Sequence, residues 1–323
     1  MSTMARFGGG LLWTWAGTAI AVFLLRWVDL TGPIPAVQAL SPLIGLSLLV
    51  VVGGALALHR RALAGVAGAA LLVMAATALP LVLGSSKPHE DGDLVILSSN
   101  LQFGGGSLAD VEAAVDRLDV TVLVLLEVTP EAEAALDAST LSDRLPFRNG
   151  RSRTGPAGTM ILTRHPQRPL ADQPHLAFDQ VAVEIDDPGG AWSLLAVHPL
   201  PPLLRESTHW RGDLDELTQW RARQDTDRLV IAGDFNASAA HPGFRELTAG
   251  MTDAHRAVGA GWVRTWPDGG LLGSGFVQID HVVSRGVTTV DAGTVTVADT
   301  DHVAVWARLR IPPPLVATLP ADG

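Results

Sequence analysis

Charge is nearly absent from the first ninety residues, and this constrains the chain more than any other feature. Only Arg6, Arg26, Asp29, Arg60, Arg61, Lys87 and Glu90 break three apolar runs, at 8–28, 36–58 and 62–84 ("ALAGVAGAALLVMAATALPLVLG"). A helix of roughly 20 residues crosses a hydrocarbon layer about 30 Å thick, and a soluble core has little room for three uncharged segments in succession. The runs are read as three transmembrane helices, with Trp13, Trp15 and Trp27 at the interfaces and Arg26 reaching out from the end of the first. "HRR" at 59–61 and Arg6 are basic, whereas the loop around Asp29 is not. Positive charge stays in the cytoplasm, so an odd number of crossings leaves residue 85 onward outside the cell membrane. Cleavage of the first run as a signal sequence after "AVQA" (36–39) is the alternative, and it leaves the downstream topology unchanged.

Beyond the anchor the chain reads as soluble. Its connector, "SSKPHEDGD" (85–93), reaches about 30 Å when fully extended, which keeps an outer domain near the lipid headgroups. Residues 91–323 carry 18 of the 23 basic groups and 31 of the 33 acidic ones, a net charge near −13. Such a balance argues against tracking a nucleic acid by neutralising its phosphates. With no cysteine in the chain, disulfides and thiolate metal sites are excluded.

From residue 94 apolar strands alternate with polar helices. Strands are expected at 94–100, 120–128, 158–164, 180–186, 192–198, 228–234, 277–283, 292–298 and 303–311, and helices at 107–118 (capped by Ser107), 130–138, 206–224 and 241–249. Many strands and fewer helices in mixed order predict an α/β (α+β) fold, two packed mixed β-sheets flanked by helices. The division is a three-helix anchor at 1–84, a linker at 85–93, a folded outer domain at 94–312 and a tail at 313–323.

"LVIAGDFNAS" (229–238) raises a question, because a strand that ought to be buried ends on an acid and an amide. It is not alone. Asn100 ends the first strand, Glu127 the second and His198 the strand "WSLLAVH"; Asp234 and Asn236 follow "RLVIAG", Asp280 lies in "FVQIDHVV", and "DTDHVAV" holds Asp301 and His302. Polar side chains gathered at strand ends along one rim make a candidate site.

The ordered set "SSN", "LE", "VH", "GDFN", "IDHV", "TDH" resembles the endonuclease/exonuclease/phosphatase superfamily over residues 92–312. The chain departs from the usual pattern at Leu126-Glu127, where "QE" is common. The resemblance implies a four-layer, DNase I-like sandwich and a metal-dependent phosphoric-ester or pyrophosphate hydrolase. By the same resemblance Asn100, Glu127 and Asp301 would hold a divalent cation, Mg²⁺ or alternatively Mn²⁺, while Asp234 would orient or deprotonate water. Asn236 would bond a phosphate oxygen, Asp280 would keep His302 protonated, and His198 would be a second donor. These roles agree with hard oxygen-donor chemistry at a phosphate. Taken singly, His198, Asp280 and Asn100 also have a less favoured reading as ordinary strand-end or turn positions. The other histidines, His59, His89, His165, His175, His209, His241 and His255, show no ligand spacing and are expected on surfaces, and His281 is expected to face away from Asp280. Arg164, Arg205 and Arg264 are candidate phosphate contacts.

An acidic domain tethered beside lipid favours a lipid-borne phosphate over a long polyanion. The anchor with an outer domain also resembles the membrane phosphatase-like proteins that accompany teicoplanin resistance in actinobacteria, which implies a substrate such as undecaprenyl pyrophosphate. A membrane-tethered nuclease is the alternative, with Trp262 and Trp266 stacking a base. A catalytically inactive receptor or scaffold is a third reading, and none of Glu127, Asp234, Asn236 or His302 is lost to support it. The expected partners are therefore the membrane and a phosphate-containing substrate, with nucleic acid second.

Overall fold

A computed structural model describes residues 3–203, 207–269 and 275–312, so the tail at 313–323 and Arg205 lie outside the described residues. The amino-terminal region forms α1 (Thr3–Leu25), α2 (Ile34–Ala39), α3 (Ser41–Leu46), α4 (Leu48–Ala57) and α5 (Arg61–Ala78). Two helical stretches, Phe7–Leu25 and Arg61–Leu81, are long and apolar enough to cross a membrane, rather than the three expected. Pro42 accounts for the difference: it lies in the first turn of a short helix, where its missing N–H costs nothing, and it stops the preceding helix, α2, from continuing. What remains of the second run is the shorter apolar segment Ser41–Ala57. Ala16, Ala19, Leu48, Ala55, Leu63 and Ala67 form the buried seam of this bundle.

The bundle has a distinct polarity. A Cβ on Gly9 would lie 3.2 Å from the Arg60 guanidinium, so the start of α1 and the Arg60 turn share one end. Arg26 Nη1 donates to Thr77 Oγ1 (3.2 Å), which places the ends of α1 and α5 together at the other. There the bundle docks on the rest of the chain. Gly32 N–H donates to Ser207 Oγ (2.7 Å), Gly261 N–H to Leu81 O (2.7 Å), and His241 Nε2 lies 2.9 Å from Pro35 O. The connector is also tied down, through Ser85 N–H to Ala257 O (3.2 Å) and Lys87 N–H to Val290 O (2.8 Å).

The larger region is built from β1 (Leu94–Asn100), α6 (Leu108–Leu118), β2 (Val122–Leu126), α7 (Pro130–Asp137), α8 (Leu141–Arg144), β3 (Phe147–Arg151), β4 (Thr159–Thr163) and β5 (Gln167–Pro169). It continues through β6 (Val181–Ile185), β7 (Trp192–Val197), α9 (Ser207–Arg223), β8 (Leu229–Asp234), α10 (Pro242–Leu247), β9 (Thr252–Asp253) and α11 (Ala254–Val258). It closes with β10 (Asp280–Arg285), β11 (Thr288–Thr296) and β12 (Val303–Arg310). Six strands run β11-β12-β1-β2-β4-β3 in one sheet and six run β5-β6-β7-β8-β10-β9 in the other. Only β1/β2 and β7/β8 are parallel, since α6 and α9 carry the chain back over the outside of each sheet.

Ile96, Val124, Leu126, Leu194, Ala232, Val282 and Val305 fill the space between the sheets. Outside the first sheet, α6 and α7 pack through Val111, Ala114, Val115 and Leu136; outside the second, α9 and α10 pack through Trp210, Leu214, Trp220 and Phe244. Both faces of β1, β2, β7 and β8 are thus covered, which explains their near-continuous apolar sequences. The order helix, sheet, sheet, helix is the expected sandwich. Elements without a sequence signal are short or peripheral: β3, β5, β9, α8 and α11. The β3 sequence "FRNGR" is a polar edge strand with no core face to pattern.

Candidate active site

Topology alone brings six strand ends to one edge. Parallel β1 and β2 finish side by side, at Asn100 and just before Glu127; parallel β7 and β8 do the same before His198 and at Asp234. Antiparallel β10 begins where β8 stops, with Asp280 opposite Asp234, and antiparallel β12 begins beside the end of β1, one residue after His302. Every side chain named as a catalytic or metal-ligating candidate except Asp301 and Asn236 is buried.

The polar groups interlock. Asn100 Nδ2 donates to Glu127 Oε1 and to Asp234 Oδ2, each at 3.1 Å, and so links the two sheets. Glu127 Oε2 accepts from Phe103 N–H (2.7 Å), and Asp234 Oδ1 from Asn236 N–H (2.7 Å). His302 Nδ1 meets Asp280 Oδ2 at 3.0 Å, with its Nε2 3.7 Å from Asp234 Oδ2 and 3.8 Å from Asp301 Oδ1. His198 Nε2 stands 3.7 Å from Asp234 Oδ2 and 3.8 Å from Glu127 Oε1. Glu127 and Asn236 both take positive φ, 57° and 46°, a strained backbone for residues with a Cβ.

Burial and charge set the protonation states. Burial by itself would lower His302, but Asp280 and Asp234 overcome it and raise the imidazole to about 10, so it is charged at neutral pH. Burial first, then the Asp280 charge, raises Asp234 to about 7. Burial and the His302 charge push His198 down to about 3, leaving it neutral. Glu127 is raised by burial, although Phe103 N–H and Asn100 oppose this and the Asp301 charge adds to it.

Two groups of donors could suit a cation. Glu127 and Asp301 repel each other, both are carboxylates, and the Asp301 side chain is a third exposed. Asn100 bridges two carboxylates through its amide hydrogens, and its Oδ1 accepts from Gln102 N–H (3.0 Å), which leaves a second lone pair on the oxygen. Asp234, Asp280 and His302 form a second group, with ligand atoms all within 4.8 Å of one another. This group could also hold a metal ion, and without one His302 Nδ1 is engaged with Asp280 Oδ2 at 3.0 Å.

Several supporting residues carry no motif of their own. Thr300 Oγ1 donates to Asn100 O (2.9 Å) and accepts from His302 N–H (3.2 Å), and Thr265 Oγ1 accepts from the N–H groups of Ile279 and Asp280. Gln180 bonds both backbone groups of His198, whose ring packs against Phe178 at 4.9 Å. Trp266 is half-buried, and its indole N–H donates to Asp301 Oδ2 (3.0 Å). Arg164 pairs with Asp119 at the opposite end of β2, away from the site. Arg264 lies over Trp262, 5.9 Å from its ring centroid. His241 and His255 are buried rather than on the surface, each bonded to a backbone carbonyl. His281 faces away from the site and meets Asp253 at 2.8 Å.

A two-sheet sandwich gathers carboxylates, amides and imidazoles at one edge. The sequence model described as "Endonuclease/Exonuclease/phosphatase family" matches residues 97–302, more than half of the chain, and the chain belongs to that family of phosphoesterase hydrolases. Similar solved structures include D. rerio TDP2 complexed with single-strand DNA product (18% identity, 68% of this chain and 100% of that one, TM-score 0.55). The human Nocturnin catalytic domain with bound sulfate is 15% identical over 69% of this chain and 96% of that one, with a TM-score of 0.51. An endonuclease/exonuclease/phosphatase from Beutenbergia cavernae DSM 12333 is 18% identical over 68% and 72%, with a TM-score of 0.50. At these identities the likeness is one of fold. No curated protein matches the chain.

Proposed function

We propose that this chain is a multi-pass protein of the cell membrane whose outer domain hydrolyses a phosphoric ester or pyrophosphate carried on a lipid, of the undecaprenyl pyrophosphate type. The observation that carries this reading is the docking of the ends of α1 and α5 directly on the hydrolase domain, through Gly32, Pro35 and Leu81. That contact would hold the domain at headgroup level. α1 and α5 would cross toward the domain, and Ser41–Ala57 would return between them. The basic Arg60 end then faces the cytoplasm.

Glu127 and Asp301 are the residues that would hold Mg²⁺ or Mn²⁺, whose chemistry is to polarise a phosphoryl oxygen and offset developing charge. Asp234, raised toward neutrality and fixed by Asn100 and Asn236 N–H, is suited to orient or deprotonate the attacking water. His302, kept charged by Asp280, faces the phosphate as a cationic donor. His198 offers a neutral donor beside it. One amide hydrogen of Asn236 is engaged by Pro199 O (3.0 Å), and the other is available to a phosphate oxygen.

A tethered nuclease is the second reading, favoured by partly exposed Trp262 under Arg264 and by the single-strand DNA product in the TDP2 complex. Detergent-purified protein assayed with Mg²⁺ and EDTA controls against polyprenyl pyrophosphate and plasmid DNA separates the two. The expected outcome is inorganic phosphate from the lipid; nucleotide release without it reverses the order. His302→Ala and Asp234→Asn should each lower turnover by at least about 100-fold with folding intact. Activity within a few-fold of the parent in both would remove the site assignment.

A further inference from the structure

The loop that follows β8 and carries Asn236 is held residue by residue from outside itself. Trp210 Nε1 on α9 donates to Asn236 O (3.1 Å), His281 Nε2 on β10 to Ala237 O (3.2 Å), and Arg245 Nη1 on α10 to Ala239 O (3.0 Å). Between them, Ser238 N–H donates to His241 Nδ1 (2.8 Å). Asn236 has φ 46° and its amide donates to Pro199 O (3.0 Å), so the direction of its side chain depends on a strained backbone that these bonds hold in place.

Two of these supports continue into the helical bundle. His241 Nε2 lies 2.9 Å from Pro35 O, and Arg26 Nη2 reaches the Ala239 carbonyl at 3.5 Å. A backbone N–H can only donate and a carbonyl can only accept, so the partners fix the tautomer: Nδ1 is the bare acceptor and Nε2 carries the proton. Burial pushes the imidazole down to about 4 and keeps it neutral. Trp210 stands edge-on to this ring at 5.3 Å, and its helix begins at Ser207, whose Oγ accepts from Gly32 N–H (2.7 Å). The imidazole thus has one nitrogen on the loop and the other on the bundle. Losing either partner would leave a buried polar atom without a bond.

We propose that His241 is a positioning residue that transmits the seating of the helical bundle to the Asn236 loop, so that the hydrolytic site takes its phosphate-binding geometry with the bundle docked. A shift of the Pro35 turn moves the imidazole, the imidazole moves Ser238 N–H, and the backbone that aims the Asn236 amide moves with it. The inference rests on the phosphohydrolase reading in taking Asn236 as the amide that meets phosphate; the coupling of loop to bundle does not depend on the substrate.

Two variants of the full-length, detergent-purified protein divide the imidazole's roles. His241→Asn keeps an acceptor near the Nδ1 position and drops the donor to Pro35 O, whereas His241→Gln keeps a donor near Nε2 and drops the acceptor for Ser238 N–H. Each should speed amide hydrogen exchange across 236–240 relative to the parent. Each should also raise KM about tenfold, with kcat within about threefold, on whichever of polyprenyl pyrophosphate and plasmid DNA the parent turns over. Neither should raise KM further in an Asn236→Gly background, which tolerates the positive φ and removes the amide. Parent-like exchange or KM in His241→Asn makes the imidazole a brace within the loop alone and overturns the proposal, and the same result in His241→Gln overturns it as well. So does a lower apparent kcat at unchanged KM, the mark of lost folded protein, or a further rise of KM on top of Asn236→Gly. A parent that turns over neither substrate removes the phosphohydrolase reading, and exchange across 236–240 then decides the coupling by itself.

Discussion

At the scale of single residues, His302 and Asp280 are the pair on which the site's electrostatics turn. Both are buried, at 6% and 1% exposure, and they meet at 3.0 Å. The imidazole titrates near 10 in the folded chain, above its ordinary 6.5, so the folded state holds a proton that the unfolded chain releases. Stability from this pair is therefore full below about pH 6.5 and is lost as pH rises toward about 10. Asp280→Asn should cost about 3–5 kcal/mol at low pH, the penalty for leaving a buried ion without its partner. Thermal midpoints of parent and variant in EDTA, compared across pH, check this. Their difference should narrow steadily between those limits, and a difference that stays flat would contradict the assignment. "TDH" is visible as a motif, but the partner that charges its histidine lies 22 residues upstream in "QID", a pairing that only the β12–β1 and β8–β10 registers create.

At the scale of elements, the parallel pair β7 and β8 carries half of the site, and Gly233 decides whether it closes. Gly233 has φ 143°, and a Cβ there would sit 2.2 Å from Val197 O in the adjacent strand. Gly233→Ala should part the strands where His198 and Asp234 emerge and lose about 1–3 kcal/mol by overpacking. Turnover should fall with it. Gly212 in α9 is the control, having nothing within 4 Å of its would-be Cβ, and Gly212→Ala should hold or raise stability by up to about 1 kcal/mol. Urea midpoints of the two variants distinguish a local clash from a general dislike of alanine. Ser107 was legible as a helix cap because the side chain and the backbone it caps are three residues apart, and the structure has Asp110 N–H donating to Ser107 Oγ at 3.2 Å. The edge strands β3, β5 and β9 were not legible. Their residues are half exposed or polar, and only a neighbouring strand makes them strands.

At the scale of the whole molecule, the polarity of the bundle can be tested without disturbing the fold. The chain has no cysteine, so a single introduced thiol reports its own side of the membrane. In intact cells Asp91→Cys should react with a membrane-impermeant maleimide, while His59→Cys should react only after permeabilisation. Equal labelling of both positions, or the reverse order, would invert the proposed topology. The same polarity gives the domain's docking its meaning. Pro35 and Gly32 touch α9 and the segment before α10, whereas Arg60 lies at the far end of the bundle.

What the sequence determined by itself was what short-range chemistry controls: which segments are strongly apolar, which runs alternate into strands, where a helix is capped, and which strand ends carry acids, amides and imidazoles. Those signals lie within a few residues of one another and survive in one dimension. Tertiary structure decided the rest. Pro42 divided one apolar run into shorter helices, Asn100 donated its amide hydrogens to two carboxylates, Trp266 became a partner of Asp301, and Arg26 and Arg245 converged on the Ala239 carbonyl at the bundle's end. Each depends on which distant group stands opposite, and a hydrogen bond or a charge acts through space rather than along the chain.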